Sequence, residues 1–272
     1  MLKKLKKIEH LSEIYKDYDC FLIDLWGVMH DGVNVFREAM SAVKKLTEEN
    51  KRIVFLSNAP RPAKNVKNFL IKLKIEEKYL NNILTSGQAA IQSLQNNKFG
   101  KKFFHIGPVR DEPIFHGLEK NKTNLENCDF ILCTGLYDEY LSDLKHYKEL
   151  LKNYKSKKLI CTNPDQTVYK AGKIEICAGA IADVFEKLGG RVVYFGKPHK
   201  EIYDLCLNKN EKTLVIGDNL KTDIKGANNL NLDSLFITNG VHRSEHNKEE
   251  ELLALLENHK VKANYFQKNL CW

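Results

Sequence analysis

Cys20-Phe21-Leu22-Ile23-Asp24-Leu25-Trp26-Gly27-Val28 is a run of four apolar residues that ends on an aspartate and then meets a glycine. With no polar residue alternating, the run suits a strand buried on both faces, as in a parallel sheet covered by helices on each side. Comparable runs follow at 53–56, 191–195, 213–216 and 234–237. Between them lie segments of helical spacing near 37–49, 63–73, 200–208 and 222–229. This alternation predicts βαβ units, a parallel sheet and the α/β fold class.

A second set of apolar runs, at 103–106, 130–133 and 159–161, alternates with helical segments near 142–152 and 179–188. In the last of these, Ala180, Ile181, Val184, Phe185 and Leu188 share one face. The block reads as a domain inserted into the first: residues 1–84 and 191–272 form the core, and 85–190 an α/β cap.

Composition bounds the function. The 272 residues are 43% apolar, enough for a sizeable core. No run approaches the ~20 apolar residues of a membrane span, and 1–18 lacks the continuous apolar stretch of a secretory signal. Residues 1–18 carry five lysines with Leu2, Leu5, Ile8, Leu11 and Ile14, which predicts a short amphipathic lead-in helix on the surface. The seven cysteines form an odd set without CxxC or Cys/His ligand spacing, as expected of buried thiols in a cytoplasmic protein. The net charge of +8 comes from 37 Lys and only six Arg. Bidentate recognition of bases and phosphates favours Arg, so the charge reads as solvated lysine and no specific nucleic-acid partner is expected. A homo-oligomer is left open.

Four strands end in polar residues suited to a single site, and ligands bind at the carboxyl ends of strands in open parallel sheets. The first gives Asp24, the second Ser57-Asn58, and the later ones Gly196-Lys197-Pro198 and Gly217-Asp218-Asn219-Leu220-Lys221-Thr222-Asp223. Phosphoryl transfer needs a nucleophile, a cation spanning the negative charges, and fixed donors for the equatorial oxygens. Asp24 can attack phosphorus, Asp24 and Asp218 with a backbone carbonyl suit Mg2+, and Ser57, Asn58 and Lys197 can hold the phosphoryl group. Each element alone also reads as plain structure: a turn aspartate, a capping Ser-Asn, a loop before a helix. Their joint order and placement favour the site.

The four segments resemble, in order, the four motifs of the haloacid dehalogenase superfamily. With the insert between the second and third motifs, the chain is similar to class IIA, the NagD-like capped phosphatases. Thr85-Ser86-Gly87 and Thr162-Asn163-Pro164-Asp165 resemble further segments of that class. The resemblance implies a Rossmann-like core, a cap that sets specificity, and magnesium-dependent hydrolysis of a small phosphorylated metabolite through an aspartyl-phosphate on Asp24. It also implies Ser57 and Lys197 on the phosphoryl group, Asp218 and the Trp26 carbonyl on the metal, and Asp223 as a further or water-mediated metal contact. Asn163 and Asp165 would lie near the substrate entrance, with an Asn-Pro-Asp turn as the alternative reading.

The sequence departs from the family at one position. The phosphatases carry a second aspartate two residues after the nucleophile, as acid and base, and here that residue is Trp26. An indole does not titrate in the useful range, and acid–base assistance is typically worth about 10² to 10⁴ in rate. A good leaving group would need little protonation, or His30 could substitute. Two alternatives remain at this level: a catalytically weak phosphate-binding or regulatory protein, and a metal-independent dehalogenase.

Overall fold

The computed structural model describes residues 5–170, 172–246 and 248–272. Seven parallel strands form one sheet in the order β1 (Lys6–Lys7), β13 (Tyr265–Gln267), β12 (Asp233–Ile237), β11 (Thr213–Gly217), β2 (Cys20–Ile23), β3 (Arg52–Ser57) and β4 (Ile83–Thr85). The apolar run of β2 divides between the two faces. Phe21 and Ile23 join the cluster formed with Ala39, Ala42, Val43 and Leu46 of the helix Arg37–Glu48. Cys20 and Leu22 pack on the other side with Ile202, Tyr203 and Ala227. Burial on both faces leaves the strand ends as the place where polar residues can meet solvent and ligand.

A second parallel sheet runs in the order β10 (Arg191–Tyr194), β7 (Lys158–Cys161), β6 (Phe130–Cys133) and β5 (Phe103–Ile106). The helices Leu144–Leu151 and Ala178–Lys187 cover one side through Tyr147, Leu151, Ile181, Ala182 and Phe185. An antiparallel hairpin, β8 (Thr167–Lys170) with β9 (Lys173–Ile176), projects from this unit.

Two expectations need correction. The apolar pattern places the run at 191–195 in the core, yet β10 pairs with β7 from Arg191↔Lys158 to Tyr194↔Cys161. Strands of either parallel sheet share the same apolar pattern, so the pattern cannot tell the two sheets apart. We propose that the insert ends after Phe195 rather than at 190. The lead-in helix is also absent among the described residues. In its place are the edge strand β1 and 3₁₀ turns at Leu11–Glu13 and Tyr15–Asp17. Ile8, Leu11 and Ile14 are buried and recur every third residue, the period of a 3₁₀ turn rather than of an α-helix. Leu2 lies outside the described residues.

Candidate active site

Asp24 follows β2 directly, and its N–H donates to the Ile216 carbonyl of β11 at 2.9 Å. That bond seats it beside the loop leading through Asp218 to the wide helical turn Leu220–Ile224. Gly27 closes the first turn with φ +82°, and a Cβ there would lie 2.1 Å from Asp218 Oδ2. Only glycine fits both the left-handed backbone and that approach. Asp218 Oδ2 accepts from the Val241 N–H at 2.7 Å, and Asp223 Oδ2 accepts from the Asn219 N–H at 3.1 Å.

Lys197, fully inside the protein at 2% exposure, ties these strand ends together. Its Nζ donates to Asp24 Oδ1 at 2.5 Å, Asp223 Oδ1 at 2.7 Å and the Leu56 carbonyl at 2.7 Å. Asn58 fixes the lysine's backbone, accepting from Lys197 N–H on Oδ1 at 2.8 Å and donating from Nδ2 to the Lys197 carbonyl at 3.1 Å. The same amide nitrogen reaches Asp165 Oδ1 at 3.2 Å, which also accepts from Asn219 Nδ2 at 3.2 Å. The cap thus places Asp165 against both core loops.

The electrostatics call for a cation. Asp24, Asp218 and Asp223 are buried and offer oxygens all within 4.8 Å of one another, against the single ammonium of Lys197. Burial raises Asp24 above the carboxylate range, with Lys197 opposing it and Asp223 adding to it. Asp218 is raised further by burial and then by the charges of Asp24 and Asp223. Burial works against the charge on Lys197, but Asp223, Asp24 and Asp165 outweigh it and keep the ammonium protonated. A buried excess of negative charge with hard oxygen donors fits a divalent cation, which would relieve the repulsion that the lysine only partly offsets.

The cavity beside these groups measures only about 20 Å³ and is lined by Asp24, Trp26, Asp165, Lys197, Asp218 and Asp223, together with hairpin residues Thr167 to Tyr169. The Trp26 indole N–H donates to the Tyr169 carbonyl at 2.7 Å, and the Arg243 guanidinium lies 3.1 Å from the centre of the Tyr169 ring. Both contacts hold the hairpin down over the site. The hairpin therefore forms one wall of the cavity.

Other sequence candidates stand further back. Ser57 is buried and its Oγ accepts from the Ala59 N–H at 3.2 Å, outside the lining of the cavity. Asn163 Oδ1 accepts from the Asp165 N–H at 3.2 Å, which is the Asn-Pro-Asp turn. His30 is buried behind Trp26, its ring edge-on to Trp26 and Phe69, with Nδ1 accepting from the Gly32 N–H at 3.0 Å. It does not line the cavity.

The hairpin and the 241–242 segment escaped the sequence reading. His242 Nε2 accepts from the Leu220 N–H at 3.1 Å while Nδ1 meets Glu245 Oε1 at 2.6 Å. His242, Glu245 and His259 are spaced closely enough to ligate a metal. With Nε2 accepting a hydrogen bond, however, the neutral ring carries its own proton on Nδ1 and has no lone pair there for an ion. The group instead braces the loop that carries Asp218. No local spacing announces it, because His259 lies on a different segment.

The comparisons with known proteins agree with this geometry. Residues 21–119 match the sequence model described as haloacid dehalogenase-like hydrolase, and 194–260 a second one described as HAD-hydrolase-like, together more than half of the chain. The chain is 28% identical over 242 residues to the 5'-nucleotidase YutF of Bacillus subtilis strain 168, covering 85% of this chain and 91% of that one. It is 28% identical over 229 residues to the ribonucleotide monophosphatase NagD of Escherichia coli K12, covering 81% and 87%. The crystal structure of a haloacid dehalogenase-like hydrolase from Brucella suis 1330 superposes with a TM-score of 0.85 at 29% identity, over 97% of this chain and 99% of that one. With the strand-end carboxylates, the buried lysine and an insert between the second and third motifs, the chain belongs to the haloacid dehalogenase superfamily, among its NagD-like capped phosphatases.

Proposed function

We propose that the chain is a cytosolic, magnesium-dependent phosphatase that acts on a small phosphorylated metabolite through an aspartyl-phosphate on Asp24. The observation that carries this reading is the Asp24–Lys197–Asp223 bridge, two buried carboxylates on one ammonium with a third buried carboxylate, Asp218, alongside. Asp24, Asp218 and the Trp26 carbonyl would hold magnesium, with Asp223 joined to it directly or through water. The ion would supply positive charge at the phosphoryl oxygens. Asp24 attacks phosphorus and Lys197 holds it ionised and aimed, its backbone fixed by Asn58.

A second cavity of about 170 Å³ adjoins the first and shares Thr167, Asn219 and Val241 with it. Gln166 and Ile174 come from the cap, and Lys221 and His242 from the core. Its size and polarity suit the leaving group of a sugar phosphate, a nucleotide or an acyl phosphate, the kinds of substrate that names such as 5'-nucleotidase and acid sugar phosphatase point to among the relatives.

The test is a hydrolysis screen over phosphomonoesters, acyl phosphates and p-nitrophenyl phosphate, with magnesium and with EDTA, for the wild type and Asp24→Asn. Magnesium-dependent turnover that Asp24→Asn abolishes supports the reading. Equal activity of the two proteins removes Asp24 as nucleophile, phosphate hydrolysis retained in EDTA removes the magnesium requirement, and halide release from a haloacid in EDTA would return the dehalogenase alternative. Trp26 in place of the acid also favours a second reading, a phosphate-binding or regulatory protein. Binding of beryllofluoride with turnover at background would select it.

A further inference from the structure

Phosphate esters with poor leaving groups need a proton delivered to the departing oxygen, and Trp26 cannot deliver one. Its indole N–H is already given to Tyr169. We propose that Asp165, carried by the cap, is the catalytic acid and base of this enzyme, an assignment that rests on the phosphatase reading above.

The argument is one of place and elimination. The titratable side chains lining the catalytic cavity are Asp24, Asp165, Tyr169, Lys197, Asp218 and Asp223. Asp24 is the nucleophile, Asp218 and Asp223 are committed to the cation, and Lys197 stays charged. The Tyr169 ring is covered by Arg243. Asp165 remains.

It is also firmly built. The Asn163 side chain caps its N–H, and its carbonyl accepts from the Gly179 N–H at 3.1 Å at the start of the cap helix Ala178–Lys187. Gly179 is needed there, since a Cβ would come within 2.2 Å of the Pro164 carbonyl oxygen. Asn58 and Asn219 each donate to Asp165 Oδ1, so that oxygen is fixed by two core amides when the cap is docked. The groups facing the carboxyl are Lys197, Asp223, Asp24 and Asp218 from the core and Cys161 and Cys177 from the cap. Burial, opposed by Lys197 and reinforced by Asp223, raises the carboxyl above the usual carboxylate range.

The chemistry then closes. An Asp24 oxygen forms a bond to phosphorus, the bond from phosphorus to the ester oxygen breaks, and that oxygen takes the Asp165 proton and leaves as an alcohol. In the second half, water attacks phosphorus while Asp165 accepts its proton. The bond to Asp24 breaks, inorganic phosphate departs, and Asp165 is protonated again. Because both amides belong to the core, docking of the cap is what fixes this oxygen of the acid in place.

The test compares the full-length wild type with Asp165→Asn in magnesium, on p-nitrophenyl phosphate and on glycerol phosphate. Asp165→Asn is expected to lower kcat on glycerol phosphate by about 10² to 10⁴ while changing p-nitrophenyl phosphate turnover less than about tenfold. The alkaline limb of the glycerol phosphate pH profile should vanish with it. Adding Trp26→Asp to Asp165→Asn should restore glycerol phosphate turnover, a rescue that a merely structural role would not show. Equal losses on both substrates with no rescue, or a change in KM alone, would overturn the assignment. If the wild type lacks Asp24-dependent turnover on either substrate, the phosphatase reading fails first and the assignment falls with it. An Asp24-dependent enzyme indifferent to Asp165→Asn on glycerol phosphate overturns the assignment alone.

Discussion

Replacing Trp26 with Phe would keep the aromatic ring that packs against His30 and remove one hydrogen bond, the one joining the nucleophile loop to the Tyr169 carbonyl. Both residues are partly exposed, so water can reach the freed carbonyl when the hairpin moves and no buried orphan is left. The loss is therefore that of an ordinary neutral hydrogen bond, about 0.5 to 1.5 kcal/mol. At about 1.4 kcal/mol per decade, the closed arrangement weakens about 2- to 12-fold. Turnover needs the hairpin closed, so kcat/KM for p-nitrophenyl phosphate should fall by the same factor. Amide hydrogen exchange in β8 and β9 should speed up correspondingly, while exchange in β2 and β11 stays unchanged. Unaltered exchange in the hairpin together with unaltered kcat/KM would refute the view that Trp26 latches the cap. A fall beyond 100-fold would show that the indole does more than hold the hairpin.

Lys197→Met leaves Asp24 and Asp223 buried without their cation. Breaking such a pair costs about 3 to 5 kcal/mol, to be read as a lowered urea midpoint that magnesium partly restores. Gly27→Ala forces a Cβ toward Asp218 and strains a φ of +82°, so calorimetry should find magnesium binding lost while the far-ultraviolet circular dichroism is kept. Burial depresses His30 from 6.5 to about 4, against the pull of Asp31. Between those values the unfolded chain binds the extra proton, so this contribution is complete above pH 6.5 and drains away as pH falls toward 4. It amounts to at most about 3 kcal/mol, and His30→Gln should flatten the urea midpoint against pH in that window.

The sequence made the central strand ends legible because β2, β3 and β11 are buried on both faces and their polar residues have nowhere else to point. Asp24, Asn58, Asp218 and Asp223 meet for that reason, and Lys197 reaches them from the loop that follows β10 of the other sheet. Asp165 was legible as a site residue but not as a partner of Asn58 and Asn219, since cap docking leaves no periodic trace. Its neighbour Asn163 resolved as the turn that holds it. The hairpin over the site was missed because Thr167–Lys170 and Lys173–Ile176 mix charged and apolar residues in runs of four, too short to carry a period. β10 was recognised as a strand and set in the wrong sheet, because local pattern carries no information on which edge a strand joins.

The most direct measurement of the central claim is acid quenching of the wild type during turnover, followed by mass spectrometry of its peptides. The account predicts a phosphoryl adduct on the peptide containing Asp24 that is absent without magnesium and absent in Asp24→Asn. Steady turnover with no adduct on that peptide, or an adduct carried by another residue, would contradict it.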